Sequence, residues 1–548
     1  MNFLQNIFAR LADSPGSTVI EEMRPEGRVS VTAGALLERV AVARAFVAAA
    51  GLRKGDRCAL LSANSIHWVA LDLAAMADGI IVVPLYARHA PAELAAMIRD
   101  CQPGIVCCGD VDSQRNLLAT WPGGAPRTVV LEEMFASGLQ GPGVHTDPTP
   151  LPDSAPVTII YTSGTSGESK GVVLNVGNVT YMLSCTTARL EQLMEQRTEP
   201  DRVFHYLPFC FAGSWILLLS SLLRLSELRL SMDLTHLADD LRAAAPDYCQ
   251  NVPQLLERMR AAVEAQVAKR GGFANTIFTK AKAASLGSTN GAGSGISLLL
   301  ARKLIFPAIR KKLGPNLKAL ICGSAPLALE TQLFFQMLGI PVLQSYGLTE
   351  TTAICTMDDP RRVEPGAVGP AIPGIEMKLG DFSEILVRGP NIFSGYWNRP
   401  EETAKTMSNG WFHTGDQGER TPNGNWRVVG RLKNLLVLSS GHNIAPEPLE
   451  EKLKGAIPAA QQVVMFGNGR SFLTALVIGD VALGEVEAAV SELNSGLPHY
   501  RQIRAFHIEP EPLTVESGLM TANGKLRRDA IAAHFREAIE SMYRKHPS

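Results

Sequence analysis

The order of elements is set by Cys58-Ala-Leu-Leu61, Ile66-His-Trp-Val-Ala-Leu-Asp-Leu-Ala-Ala-Met-Ala77 and Ile80-Ile-Val-Val83. The first and third stretches are short apolar runs; the third is β-branched and bounded by Gly79 and Pro84. The middle stretch has helical spacing. A second helix is expected over Pro91 to Asp100, followed by another apolar run from Gly104 to Cys108. Strand–helix–strand order with uninterrupted apolar strands implies a mostly parallel sheet with helices on its faces. The alternation resumes with Val157 to Thr162, after the Gly- and Pro-rich stretch Gly138 to Pro156, which reads as a linker between two such lobes. Gly271 to Gly295 is low in complexity and is expected to be a flexible surface segment.

Beyond Arg431 the pattern changes. Pro446 opens a short acidic-then-basic helix reaching Lys454, and Gln462 to Phe466 and Phe472 to Ile478 flank Gly467-Asn-Gly469 as a hairpin. The expected organisation is therefore α/β: a large N-terminal region of βα subdomains (1–431) and a small α+β C-terminal domain (432–548).

Bulk properties exclude several classes. The 548 residues carry 52 Lys+Arg against 53 Asp+Glu, a net charge of −1, unlike the basic excess of nucleic-acid modules. Trp215 to Leu223 is cut off by Arg224 and is far short of the roughly 20 residues a membrane span needs. Nine scattered cysteines without a CxxC pair read as reduced thiols, and no secretory signal is read at the N-terminus, so a cytoplasmic protein is expected. One charge asymmetry is hidden by the balance. From Ala265 to Leu329 there is no Asp or Glu, yet ten Lys and Arg, and Arg302, Lys303 and Arg310 fall at helical spacing as a basic face. That face is expected either to be merely solvated or to attract an anionic membrane surface.

Five segments carry chemistry. Tyr161-Thr-Ser-Gly-Thr-Ser-Gly-Glu-Ser-Lys170-Gly171 combines three glycines, five Ser/Thr hydroxyls and a lysine, the makings of a phosphate cradle. It is not a Walker loop, because Lys170 precedes Gly171. Ser345-Tyr-Gly-Leu-Thr-Glu-Thr351 places an aromatic, a glycine, a hydroxyl and a carboxylate together, suited to a base, a phosphate and Mg²⁺. The others are Trp411-Phe-His-Thr-Gly-Asp416; Gly430-Arg-Leu-Lys433 with Ser439-Ser-Gly-His-Asn443; and Thr521-Ala-Asn-Gly-Lys-Leu-Arg-Arg528. Any one of these alone could be structural, although the place of the first after an apolar strand favours a phosphate loop.

Together, in this order, the five resemble the adenylate-forming superfamily, which contains acyl-CoA synthetases, peptide-synthetase adenylation domains and firefly-type luciferases. Ile321-Cys-Gly-Ser-Ala-Pro-Leu327, Gly389-Pro-Asn391 with Gly395-Tyr-Trp397, and Thr514-Val-Glu-Ser-Gly-Leu519 look like the long-chain acyl-CoA synthetase branch. The resemblance implies that Thr162, Ser163, Gly164, Thr165, Ser166, Gly167 and Lys170 hold the β- and γ-phosphates. Gly323, Ser324 and Ala325 would wall the adenine against Tyr346 and Gly347. Thr349 would touch the α-phosphate, and Glu350, with Thr165, would hold Mg²⁺. Asp416 and Arg431 would bind the ribose. Lys525 would bridge the acyl carboxylate and α-phosphate, placing positive charge where two anions meet. Lys433 would be the hinge of a mobile small domain. Ser440, Gly441 and His442 would line the CoA channel, and Phe211, Gly213 and Trp215 the acyl pocket.

The implied reaction joins a carboxylic acid, such as a fatty acid, to CoA with ATP, through an acyl-adenylate, giving AMP and pyrophosphate. The alternatives left open are loading of a separate carrier protein's phosphopantetheine, a luciferase-type oxidation, and a nucleotide-binding protein without activity.

Overall fold

The apolar runs become central strands because both of their faces are covered. The computed structural model describes residues 1–121, 123–137, 147–163, 169–195, 199–286, 296–515, 517–521 and 525–545. The chain divides into two units; the larger comprises Met1–Met377, Val387–Phe412 and Thr421–Trp426. Its strands begin with β1 (Thr18–Arg24), β2 (Gly27–Thr32), β3 (Arg57–Leu61), β4 (Ile81–Leu85), β5 (Ile105–Cys108), β6 (Thr128–Val130) and β7 (Pro156–Ser163). They continue with β8 (Ser169–Asn175), β9 (Arg202–His205), β10 (Glu227–Ser231), β11 (Tyr248–Asn251), β12 (Ala319–Cys322), β13 (Val342–Tyr346) and β14 (Thr356–Met357).

One sheet has the order Gly395–Tyr396, β8, β7, β4, β3, β5, β6, parallel from β7 to β6 and antiparallel at β8. The other runs β14, β13, β12, β11, β9, β10, β1, β2, parallel except at its two ends. Side chains alternate across each sheet with a period of two. Cys58 and Leu60 enter one core and Ala59 and Leu61 another; in the second sheet Val203 and Phe204 part in the same way. The core shared by both sheets also takes helices Phe3–Asp13, Ala33–Ala49, Ile66–Ala77, Val176–Met194 and Ala212–Arg224, so these helices are sandwiched between the sheets.

Helix Ile66–Ala77 shows what that position demands. Ser65 caps it, its Oγ accepting from the Trp68 N–H at 3.0 Å, and every residue from Trp68 to Ala77 is buried. A helix apolar on all sides belongs in the middle of a layered protein. Its one charge, Asp72, accepts from the Trp215 indole N–H at 2.9 Å. Burial pushes the Asp72 carboxyl up to about 7. A carboxyl raised in the folded state adds stability below its unfolded value near 4 and loses it as pH rises through about 7. Asp72→Asn keeps an acceptor for Trp215 and cannot ionise. Its melting temperature is expected to fall less than the parent's between pH 5 and 8, a difference scanning calorimetry at several pH values measures directly.

Two sequence expectations change. β7 pairs β4 in parallel, Val82 opposite Thr158, so the strand after the Gly- and Pro-rich stretch extends the first sheet instead of starting a second lobe. Residues 138–146 of that stretch lie outside the described residues. Gly272–Leu286, expected to be flexible, is a helix, because Ile277, Phe278 and Ala281 are buried in the core beneath the second sheet; residues 287–295 lie outside the described residues. The hairpin of β1 and β2 has no counterpart in the sequence reading; Pro25-Glu26 is its turn, closed by the pair Arg24 and Gly27, with Gly27 at φ 140°.

The smaller unit comprises Lys378–Leu386, His413–Arg420 and Arg427–Ser548. Strands Gln462–Phe466 and Leu473–Ile478 form the expected antiparallel pair, and Ile503–Glu509 joins the second in parallel. Val463, Met465, Ala475 and Val477 face one core, while Val464, Leu476 and Ile478 face another. Helices Glu447–Ala456 and Leu483–Ser495 cover the first face, and Arg528–His534 supplies Ile531 to the second.

Candidate active site

The described ends of the Gly/Ser/Thr-rich segment lie on two paired antiparallel strands. Tyr161 pairs Gly171, Thr162 pairs Lys170 and Ser163 pairs Ser169 across β7 and β8. Gly164, Thr165, Ser166 and Gly167 lie outside the described residues. The base of the hairpin is pinned. The Tyr161 hydroxyl donates to Asp100 Oδ2 at 2.6 Å, and the Trp397 indole N–H donates to the Asp100 carbonyl at 3.3 Å. A Cβ on Gly171 would sit 2.6 Å from Ile159 Cγ2 and 3.3 Å from Trp397 Cβ, so only glycine lets these elements pass. Lys170 is ion-paired to Glu402, and its Nζ lies 5.4 Å from the Tyr396 ring centroid. The hydrogen bond and charge of Lys170 hold the Glu402 carboxyl below the usual range.

At the end of β13, Tyr346 and Gly347 lead into a single turn, Thr349–Thr351. A Cβ on Gly347 would collide with the Ala353 carbonyl and with Ile354 Cα, so close backbone approach requires the glycine. Thr352 (φ 52°) and Ala353 (φ 88°) follow in the left-handed region, a strain of about 1–3 kcal/mol each. Asn391 over-determines this turn: its carbonyl accepts from Thr352 Oγ1 at 2.8 Å, and its amide donates to the Thr351 and Ile354 carbonyls. Glu350 is thereby presented to Tyr396, whose hydroxyl donates to Glu350 Oε1 at 2.8 Å. Burial first, then the Glu350 charge, raises the Tyr396 phenol, which stays a donor. Gly323 lies against this segment, since a Cβ there would be 2.9 Å from Ser345 Oγ. Ser324, at φ 72°, and Ala325 are exposed beside it.

The larger unit thus joins Lys170, Tyr396 and Glu350 into one cluster. Among the described residues no group of three or more His, Cys, Asp or Glu could cage a metal ion. One carboxylate completed by phosphate oxygens and water is the donor set Mg²⁺ prefers, so Glu350 fits the expected ion.

Phe211 lines a narrow cleft with Tyr86, His89, Cys210 and Tyr161, the last shared with the hairpin base. His89 Nδ1 is buried without a hydrogen-bond partner, and burial lowers the His89 pKa. Gly213 faces Gln250, whose Nε2 would be 3.0 Å from an added Cβ. Trp215 sits elsewhere, 1% exposed in the core beside Asp72.

In the smaller unit Asp416 is buried and Arg431 Nε lies 2.7 Å from its Oδ1. The Asp416 N–H donates to Thr414 Oγ1, which donates to the Ile385 carbonyl at 2.7 Å. Lys433 follows on the turn Leu432–Asn434. It remains exposed as a residue, while partial desolvation and then the neighbouring Arg431 charge lower its pKa. Ser440, Gly441 and His442 form an exposed turn with Gly441 at φ 82° and open space around its Cα. Ser440 Oγ is 2.9 Å from His442 Nδ1, and the His442 ring stacks on Tyr500 at 4.1 Å. The exposed Lys525 is held through its backbone: its N–H donates to Thr521 Oγ1 at 3.1 Å and its carbonyl accepts from the Thr521 N–H at 2.8 Å.

Tyr396, Glu402, Asn391 and His89 had no role in the sequence reading. Asn391 and Tyr396 stood inside quoted motifs, which was the available signal; Glu402 and His89 had none, because their partners are remote in sequence or absent.

Residues 8–397 match the sequence profile of the AMP-binding enzyme family, and residues 433–547 that of the AMP-binding enzyme C-terminal domain. The chain belongs to the AMP-binding enzyme family. It is an adenylate-forming enzyme of the acyl-CoA synthetase kind, as the motifs implied, and enzymes of this kind use ATP, Mg²⁺ and CoA. Similar proteins include the long-chain-fatty-acid–CoA ligase FadD15 of Mycobacterium bovis, 27% identical over 99% of this chain and 97% of that one. Long-chain-fatty-acid–CoA ligase 5 of Mus musculus is 28% identical over 88% of this chain and 79% of its own.

Among solved AMP-binding folds, the adenylation domain of a Mycobacterium chelonae carboxylate reductase superposes with a TM-score of 0.77 at 22% identity, covering 99% of this chain and 91% of that one. O-succinylbenzoate CoA synthetase of Bacillus subtilis, solved with ATP and magnesium, gives 0.73 at 20% identity, covering 96% and 98%. These likenesses bear out the α/β fold with its smaller C-terminal domain.

Proposed function

We propose that this AMP-binding enzyme activates a fatty acid with ATP and passes the acyl group to CoA, with residues 1–431 forming the adenylate-binding domain and 432–548 the mobile one. The observation that carries this is full-length similarity to long-chain-fatty-acid–CoA ligases, FadD15 matching over 99% of the chain. The nine free cysteines fit a cytoplasmic, reducing location, and the enzyme works there at a membrane surface. Transfer to a carrier protein is the second reading, favoured by the fold likeness to a carboxylate reductase adenylation domain.

In this proposal Thr162, Ser163, Gly164, Thr165, Ser166, Gly167 and Lys170 take the β- and γ-phosphates. Glu402 keeps Lys170 aimed until the triphosphate competes for it. Tyr346 and Gly347 hold the adenine against Gly323, Ser324 and Ala325, and Thr349 contacts the α-phosphate. Glu350, oriented by Tyr396, and Thr165 ligate Mg²⁺, which supplies charge neutralisation between phosphates. The Asp416 carboxylate, fixed by Arg431, accepts from the ribose hydroxyls. Lys525 neutralises the approach of carboxylate to α-phosphate, and Lys433 is the hinge. Phe211 and Gly213 bound the acyl chain, with Trp215 supporting them from the core.

ATP–pyrophosphate exchange over a panel of carboxylic acids, followed by free CoA against a phosphopantetheinylated carrier, tests both stages. Exchange confined to short or aromatic acids would overturn the fatty-acid reading. Gly441 tests the acceptor channel beside Ser440 and His442. Gly441→Ala and Gly441→Leu share the strain of φ 82°, about 1–2 kcal/mol, but only leucine adds bulk. Gly441→Leu is expected to slow acyl transfer to CoA at least about ten-fold below Gly441→Ala, with exchange retained in both. Equal losses in both half-reactions, with matching falls in melting temperature, would make Gly441 a turn residue only.

A further inference from the structure

The acid-free segment forms a surface its sequence does not announce. Helix Ile296–Leu304 buries Leu298 and Ala301 in the core that holds Phe278, Phe306 and Phe334. At about 100° per residue, Ile296, Leu299, Leu300 and Lys303 project to the opposite side, flanked by Leu304 and Arg302. Ile296 is 79% exposed, Leu299 65% and Leu304 59%. Phe273, 72% exposed, stands on the adjoining helix Gly272–Leu286. The outward face is thus an apolar stripe carrying cations, where the spacing alone suggested a basic face.

Five of the ten basic residues fall into two kinds of setting. Lys282 is ion-paired to Glu264 at 2.9 Å and Glu330 at 2.8 Å; Arg310 donates to the Gly339 carbonyl at 2.9 Å; Lys312 donates to Gln266 Oε1 at 3.1 Å. These three hold helices together. Arg302 and Lys303 are exposed and have no ion-pair partner among the described residues.

We infer that the outward face of helix Ile296–Leu304 docks the protein on an anionic lipid bilayer. This deepens the proposed function and rests on it for its purpose, access to acyl chains that partition into membranes. The charge pattern selects lipid over a protein partner. A cation in the middle of an apolar stripe would be desolvated against a protein face, whereas at a bilayer its stem lies among acyl chains and its head reaches the phosphates. The absence of Asp and Glu from Ala265 to Leu329 removes repulsion from an anionic surface. Nine residues span about 14 Å, enough to lie in the interface and not to cross it, and no described helix is long and apolar enough to cross a membrane.

The test is co-sedimentation of the full chain with phosphatidylcholine vesicles, with and without a third of phosphatidylglycerol. The parent is expected to bind the anionic vesicles at least about ten-fold better, less so as salt rises. Leu299→Ser/Leu304→Ser should lose about ten-fold of the binding, and Arg302→Gln/Lys303→Gln most of the preference for anionic lipid. Both should keep the parent's pyrophosphate exchange on whichever soluble acid it turns over best. A parent that does not sediment with anionic vesicles, or double variants that sediment as it does, would overturn the docking face. Loss of vesicle-independent self-association in the leucine variant, with no vesicle binding by the parent, would assign the face to a second copy of the chain and overturn it likewise. Exchange with fatty acid in detergent reads the substrate separately: vesicle binding without that exchange refutes the fatty-acid reading alone, and exchange without vesicle binding refutes the docking face alone.

Discussion

Lys525→Ala is expected to reduce adenylate formation by about 10²–10³-fold, the usual cost of removing one donor aimed at developing transition-state charge. Thioester formation from supplied acyl-adenylate should stay within a few-fold of the parent, because in the proposed role Lys525 relieves an anionic encounter that is by then already past. Its side chain is exposed and its local geometry is set by backbone bonds with Thr521, so the melting temperature should hardly move. Pyrophosphate exchange and single-turnover thiolysis, measured separately, check this. Equal losses in both half-reactions would remove Lys525 from the proposed role, and no loss in either would make it a solvated surface lysine.

Glu350→Gln is expected to lower exchange by at least about 10²-fold and to raise the Mg²⁺ concentration needed for half-maximal rate. Glutamine keeps an acceptor for the Tyr396 hydroxyl, now 2.8 Å from Glu350 Oε1, so the cluster should persist. Tyr396→Phe is the companion. It removes a hydrogen bond to a charged group, about 1.5–3 kcal/mol, and should cost about ten-fold or more while leaving the Glu350 carboxylate, the proposed ligand, in place. A Mg²⁺ titration of Glu350→Gln that overlays the parent's would remove Glu350 from metal binding.

The candidate site was partly legible before any fold was known. Hydroxyls, glycines and a lysine within eleven residues are local facts, and so is the aromatic–glycine–carboxylate run ending β13. What held these groups was not legible. Lys170 meets Glu402 across more than two hundred residues, and Glu350 meets a tyrosine on a short strand paired to β8. Trp215 read as a pocket residue because it follows Phe211 closely; the helix turns it instead toward Asp72, in the layer between the sheets.

The sequence alone determined the α/β class, because runs such as Cys58 to Leu61 are apolar at both odd and even positions and alternate with stretches of helical spacing such as Ile66 to Ala77. It likewise determined the smaller unit's hairpin, where two apolar runs flank Gly467-Asn-Gly469. Only the tertiary structure decided that β7 extends the first sheet and that β1 and β2 close the edge of the second. Only it turned a basic helix into an apolar outward stripe. The reason is common to these cases. Periodicity reports how many faces of an element are apolar, whereas the neighbour that covers each face is chosen by contacts between residues far apart in the chain, and no local pattern encodes that choice.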